Sequence, residues 1–272
     1  MSETSQRRVP CALSIAGSDS GGGAGIQADL KAFARCGVHG ATAITAITVQ
    51  NTAEVRSVFP VPAKVIIDQV AAVAEDIGVD AVKVGMLGNT ETIEAVAEAL
   101  RHTGAAPVVI DPVMVAESGA ALLEEDAKQA LRDALLPLAT VITPNVPEAR
   151  ALTGAPEGTS VEEPARRLHA LGSANVVVTG GHREEAIDTF FDGEEIVEIP
   201  GERYPDGAAH GSGCTHSSAL AAHLALGLEP LDAARRAKTI AAEAVRAGLN
   251  ELGAGAGPVD VFGLAGVSLL RD

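Results

Sequence analysis

The chain has 272 residues, 47% of them hydrophobic and 21% charged, with a formal net charge of −16. That length can bury a sizeable core, as one large α/β domain or two smaller ones, and no apolar run approaches the roughly 20 residues of a membrane span. The acidity argues against nucleic acid and anionic membranes as partners, and the widely spaced Cys11, Cys36 and Cys214, with no CxxC pair, argue against disulfides or thiolate zinc and for a reducing cytoplasm.

The opening MSETSQRRVP is short, polar and without an apolar core, so no secretory signal is expected and residues 1–10 read as a disordered tail. Beyond it, short β-branched runs alternate with Ala/Leu/Glu stretches of helical length. Strands are expected at Ala12–Ala16, Ala41–Val49, Val82–Val84, Val108–Ile110, Val141–Thr143 and Val176–Thr179. Helices are expected over Ile26–Cys36, Ala63–Ile77, Thr90–His102, Glu124–Leu136 and Glu162–Leu171, where apolar residues recur at three and four. Glu184–Ile199 alternates without a helical period and reads as a hairpin or sheet edge. Helices over Cys214–Leu226 and Leu231–Leu249 and the glycine-rich stretch Gly253–Pro258 follow. The alternation predicts an α/β fold, a mainly parallel sheet with helices on both faces, and one domain over residues 1–272, since no linker or repeat interrupts it.

In such sheets ligands bind beyond the carboxyl ends of the strands, which directs attention to the loops there. After the first strand comes AGSDSGGGAGIQADLKAF, rich in glycine but without the Gly-Lys-Ser/Thr of a Walker A loop. Gly23–Ala28 fits G-x-G-x-x-A loosely, yet the acid of a dinucleotide site is missing, with Gln50, Asn51 and Thr52 in its region. Asp29 either faces the mouth of the sheet or serves as an early acid on the helix dipole. Gln50, at the end of an apolar strand, either meets a ligand edge or caps the strand. Asp111 follows the Val108–Ile110 strand, where an unpartnered carboxylate is costly. Asn145 and Glu148, spaced i, i+3 at a helix start, suit either a water-rich Mg²⁺ or a capping arrangement.

The segment from Ala209 to Gly227 is the most informative. Gly211, Ser212 and Gly213 lead into Cys214 and an Ala-rich helix, so backbone N–H groups and the helix dipole create a site for a phosphate or a developing anion. The same potential is expected to favour the Cys214 thiolate. The plainer alternative is a loop whose glycines only let the chain turn. His210, His216 and His223 read as a local cluster without metal-ligand spacing, and neither HExxH nor G-x-S-x-G is present.

Taken in order, these loops resemble one family. The stretch Ala16–Asp19 through Gly21–Lys31, then Thr45–Ala46 to Val49–Thr52, Lys83–Leu87, Asp111–Met114, Thr143–Asn145 with Glu148, Gly180–His182, and His210–Thr215 are similar to the signatures of hydroxymethylpyrimidine/phosphomethylpyrimidine kinases. The resemblance runs from about Ala12 to Gly257. It implies a ribokinase-like fold and an enzyme of thiamine biosynthesis that phosphorylates 4-amino-5-hydroxymethyl-2-methylpyrimidine with ATP and Mg²⁺, then phosphorylates the monophosphate. By resemblance Gln50 reads the pyrimidine edge, while Gly17, Ala24, Asp29, Met86 and Val113 wall the pocket. Gly211, Ser212, Gly213 and Cys214 form the catalytic anion hole, with Cys214 where many relatives carry an aspartate base. Asn145, with Thr179 and Gly181, belongs to the nucleotide side, and Glu148 with Asp111 to the magnesium. Thr179 departs from the lysine that many relatives carry there, and Ala208–Ala209 replace a polar pair. The partners implied are the pyrimidine and ATP, with a homodimer as the assembly to test. A pyridoxal/pyridoxine kinase of the same fold is the alternative, ahead of a dinucleotide oxidoreductase or a non-catalytic pyrimidine sensor.

Overall fold

The computed structural model describes residues 9–181 and 186–266. The expected tail over residues 1–10 falls mostly outside them, as do His182 and the start of the 184–199 element. Six parallel strands form the body of the sheet: β1 (Cys11–Ala16), β2 (His39–Ile44), β5 (Ala81–Val84), β6 (Val108–Ile110), β7 (Val141–Ile142) and β8 (Asn175–Val178). Antiparallel β9 (Asp188–Phe191) and β10 (Ile196–Ile199) extend it beyond β8, giving the order β10-β9-β8-β7-β6-β5-β1-β2. This is the ribokinase-like α/β arrangement expected, with the hairpin at the sheet edge.

Side-chain alternation assigns the two faces. Cys11, Leu13 and Ile15 join one core cluster, with Ile66 and Val70 of α2 (Ala63–Asp76), Ile93 and Val96 of α3 (Thr90–Ala99), and Leu168. Ala12, Val109 and Val177 face the other, with Phe33 of α1 (Gly25–Arg35) and the alanines of the two last long helices. The first face also carries α4 (Ala127–Ala130), α5 (Val146–Thr153) and α6 (Glu162–Ala170); the second carries α7 (Ser212–Ala225) and α8 (Pro230–Arg246). Small residues along α7, among them Ala219, Ala221 and Ala222, are fully buried and let that helix lie close to α8 and the sheet.

Two expectations need correction. The run Ala41–Val49 is not one strand. It breaks at Thr45, whose Oγ1 donates to the Met86 carbonyl at 2.8 Å and whose N–H donates to Ala16. Past that anchor, β3 (Ala46–Gln50) leaves the main sheet and pairs antiparallel with β4 (Val55–Pro60). The helix expected over Glu124–Leu136 starts only at Ala127 and loosens into a π turn at Leu131–Leu135, because Pro137 has no N–H to continue the ladder. Among the described residues no helix is long and apolar enough to cross a membrane.

Candidate active site

The strand order reverses at β1: from it the chain runs to β2 on one side, then returns through the β3–β4 hairpin and α2 to β5 on the other. A crevice opens beyond the carboxyl ends of strands at such a switch point. Here it is a cavity of about 410 Å³. Gly17 and Ala24 come from the β1–α1 loop, Gln50 from the end of β3, Met86 from after β5 and Asp111 and Val113 from after β6. Asn145, Glu148, Thr179, Gly181 and Gly211–Cys214 line the same cavity. Of the residues to which the resemblance gives a role in the site, the cavity gathers all but one.

That one is Asp29. Its carboxylate is fully buried beneath the cavity, accepting from Ser14 Oγ at 2.6 Å, Ser218 Oγ at 2.7 Å and Lys83 Nζ at 2.9 Å. It is neither a pocket wall nor a first-turn acid. Lys83 stands between Val82 and Val84, so strand alternation turns it away from their apolar cluster and onto the α7 face, where Asp29 and Ser218 meet it. Burial alone would lower the Lys83 pKa, but the charges of Asp29 and Asp111 raise it, so the ammonium persists. Asp111 accepts from Ser217 Oγ at 2.9 Å and lies 3.9 Å from Lys83; burial still raises its pKa.

Helix α7 begins with Gly211 as N-cap in the left-handed region, φ 82°. A Cβ there would collide with the Gly23 carbonyl oxygen, so only glycine allows the two loops to touch. The Ser212 N–H is not free as expected, since it donates to the Ala209 carbonyl at 2.9 Å. The first intrahelical bond is Thr215 to Gly211, which leaves the Gly213 and Cys214 amides as first-turn donors without an intrahelical acceptor. Cys214 also departs from expectation. Burial pushes its thiol up to about 12, against the pull of Lys83 and of the Gly25 amide. The helix end does not make a resting thiolate here.

On the opposite side Asn145 and Glu148 form a complete capping box: Asn145 Oδ1 accepts from the Glu148 N–H and Glu148 Oε2 from the Asn145 N–H, both at 2.9 Å. The capping reading holds, and both residues still line the cavity. Burial, then the charge of Asp111, pushes the Glu148 carboxyl up to about 7. Thr179 holds its loop through an N–H bond to the Pro144 carbonyl at 2.8 Å. The nearby buried cation belongs to α8: Lys238 Nζ lies 2.6 Å from Asp188 Oδ1, which also accepts the Gly180 N–H. Burial raises the Asp188 pKa, but the neighbouring His216 ring, the Lys238 ammonium and the Gly180 amide bring it below its ordinary value.

Residue reading missed Lys83, Asp19, His210 and the group Asp188, His216 and Lys238. One signal was available: Lys83 is a lone cation inside an apolar strand, which demands a buried carboxylate. His210, His216 and His223 face different partners: His210 bonds Asp19, His216 Nε2 lies 3.4 Å from Asp188 Oδ2 without a hydrogen bond, and His223 bonds the Ala219 carbonyl.

The sequence profile of the family described as phosphomethylpyrimidine kinase matches residues 19–260. A hydroxymethylpyrimidine/phosphomethylpyrimidine kinase of Rhizobium meliloti (strain 1021) is 50% identical over 257 residues, 92% of this chain and 96% of that protein. A pyridoxine kinase of Bacillus subtilis (strain 168) is 44% identical over 86% of this chain and 90% of its own. Among solved structures, an ADP complex of Bacillus subtilis pyridoxal kinase superposes with a TM-score of 0.86 at 41% identity, covering 95% of this chain and all of that one (100%).

Proposed function

The chain belongs to the phosphomethylpyrimidine kinase family, and on that premise we propose that it transfers the γ-phosphoryl group of ATP to 4-amino-5-hydroxymethyl-2-methylpyrimidine and then to the resulting monophosphate, in thiamine biosynthesis. The observation that carries this reading is the convergence of a helix N-terminus, a half-buried thiol and two carboxylates on one cavity, with the Gln50 amide on its wall. Gln50 offers both a donor and an acceptor, as an aminopyrimidine edge requires. In the first step the hydroxymethyl oxygen attacks the γ-phosphorus and the bond to the β-phosphate bridging oxygen breaks, releasing ADP. The Cys214 thiol first gives its proton to solvent and the thiolate so formed takes the hydroxyl proton, while the Gly213 and Cys214 amides meet the charge on the transferring group. Gly17, Ala24, Met86 and Val113 enclose the ring, and Asn145, Thr179 and Gly181 border the phosphates.

Mg²⁺ fits this donor set. Among the described residues no group of three metal-ligating side chains forms a closed site, whereas Asp111 and Glu148 supply the one or two carboxylates with which Mg²⁺ is held beside substrate phosphates. When bound, it neutralises phosphate charge. The cytoplasm suits three widely spaced cysteines with no CxxC pair, and the whole of 1–272 serves as one kinase domain. A homodimer is the assembly to test, and the bare apolar face of the β3–β4 hairpin, where Ile47 is 51% and Phe59 66% exposed, supports that reading.

Product masses after incubation with ATP, Mg²⁺ and the hydroxymethylpyrimidine test the reaction, with pyridoxal assayed alongside because of the likeness to pyridoxal and pyridoxine kinases. A monophosphate followed by a diphosphate, lost on chelation, is expected. Turnover of pyridoxal alone, or none, overturns the assignment.

A further inference from the structure

Two glycine-rich loops build the cavity from opposite ends of the sequence, and one buried pair joins them. Asp19, 2% exposed, stands in the loop that supplies Gly17 and Ala24. Its Oδ1 accepts the Gly21 N–H at 2.8 Å; its Oδ2 accepts the Gly23 and Ala24 N–H groups at 3.0 and 2.8 Å. Oδ2 also lies 3.1 Å from His210 Nε2, a ring 7% exposed that immediately precedes Gly211. The loops meet along their backbones as well: a Cβ on Gly23 would collide with the His210 ring, and one on Gly211 with the Gly23 carbonyl.

We propose that His210 is a positioning residue whose bond to Asp19 ties the substrate-side loop to the N-terminus of α7. This rests on the kinase reading. The hydroxyl of the bound ring and the amides that receive the phosphoryl group come from different loops, and a shift of about 1 Å between them costs up to roughly 10²-fold in rate. A carboxylate collecting three amides and a ring N–H fixes its loop far more firmly than glycines alone. The amides of that loop hydrogen-bond Asp19 and not His210, so removing the ring leaves the loop's own hydrogen bonds intact while severing the hydrogen-bonded tie.

His210→Ala and His210→Gln test this in the full chain, the glutamine amide being able to donate to Asp19 in place of Nε2. Hydrogen exchange reads the coupling without reference to activity. His210→Ala is expected to speed exchange at least tenfold at Gly21, Gly23 and Ala24, amides that His210 does not bond, and His210→Gln to restore most protection. Kinetically, His210→Ala should lower kcat more than tenfold with both KM values within threefold, and His210→Gln should recover it. Faster exchange confined to residues 209–213, or a kcat within threefold of wild type, overturns the proposal. A wild-type enzyme that phosphorylates no pyrimidine overturns the functional reading instead and leaves the exchange result to stand by itself.

Discussion

Cys214 enters the free enzyme as a thiol, and that dictates a pH profile. Burial pushes its pKa up to about 12, and burial beside Asp111 pushes Glu148 up to about 7. If the thiolate takes the hydroxyl proton and Glu148 works as an anion, kcat/KM requires both groups deprotonated, since this parameter reports the free enzyme. The thiolate fraction rises tenfold per pH unit everywhere below about 11, and the Glu148 carboxylate does so below about pH 6. Log kcat/KM should therefore climb with a slope near two in the acid limb and near one above it, gaining roughly 100-fold between about pH 8 and pH 10. Cys214→Asp replaces the thiol by a carboxylate of ordinary pKa about 3.9 and should flatten the climb above about pH 8. Cys214→Ala should lose about 10²–10⁴ in kcat, and Cys214→Ser should stay poor because a hydroxyl does not ionise in this range. ADP release at constant ionic strength and subsaturating pyrimidine measures the profile. A wild-type plateau from about pH 8 upward, or a Cys214→Ala variant within about threefold of wild-type kcat, refutes the general-base role and leaves the Gly213 and Cys214 amides as the working element.

Gln50→Ala should raise KM for the pyrimidine roughly tenfold while leaving that for ATP unchanged, because an unpaired amide partner costs about 1–3 kcal/mol; equal rises for both substrates assign Gln50 to the fold. Lys83→Met strands the fully buried Asp29 carboxylate and should destabilise the protein by about 3–5 kcal/mol, whereas adding Asp29→Asn should recover most of the loss in denaturant unfolding. A Lys83→Met protein as stable as wild type would show that the pair carries no such penalty. Gly211→Ala should cost more than tenfold in kcat, since φ 82° and the Gly23 carbonyl leave no room for a Cβ; unchanged kinetics would mean that the two loops separate freely.

Much of this architecture is written locally. Short apolar strands, helices with a three-to-four period and glycine loops after the strands specify a parallel sheet whose mouth carries the ligand, and a Gly-x-Gly turn into a helix announces the α7 N-terminus at Gly211–Cys214. Such signals act over a few residues, so the chain displays them before it folds. The outcome at Asp29 is of another kind. Its partner Lys83 is 54 residues away, and only the pairing of β1 with β5, with α7 laid across them, turned a pocket acid into a buried ion pair. Asp19 and His210, 191 residues apart, met for the same reason. The break at Thr45 depended on the Met86 carbonyl arriving from β5. Cys214 shows the difference most sharply: the helix end that favours a thiolate is local, but the desolvation that outweighs it belongs to the assembled cavity, and a buried charge is set by everything packed around it.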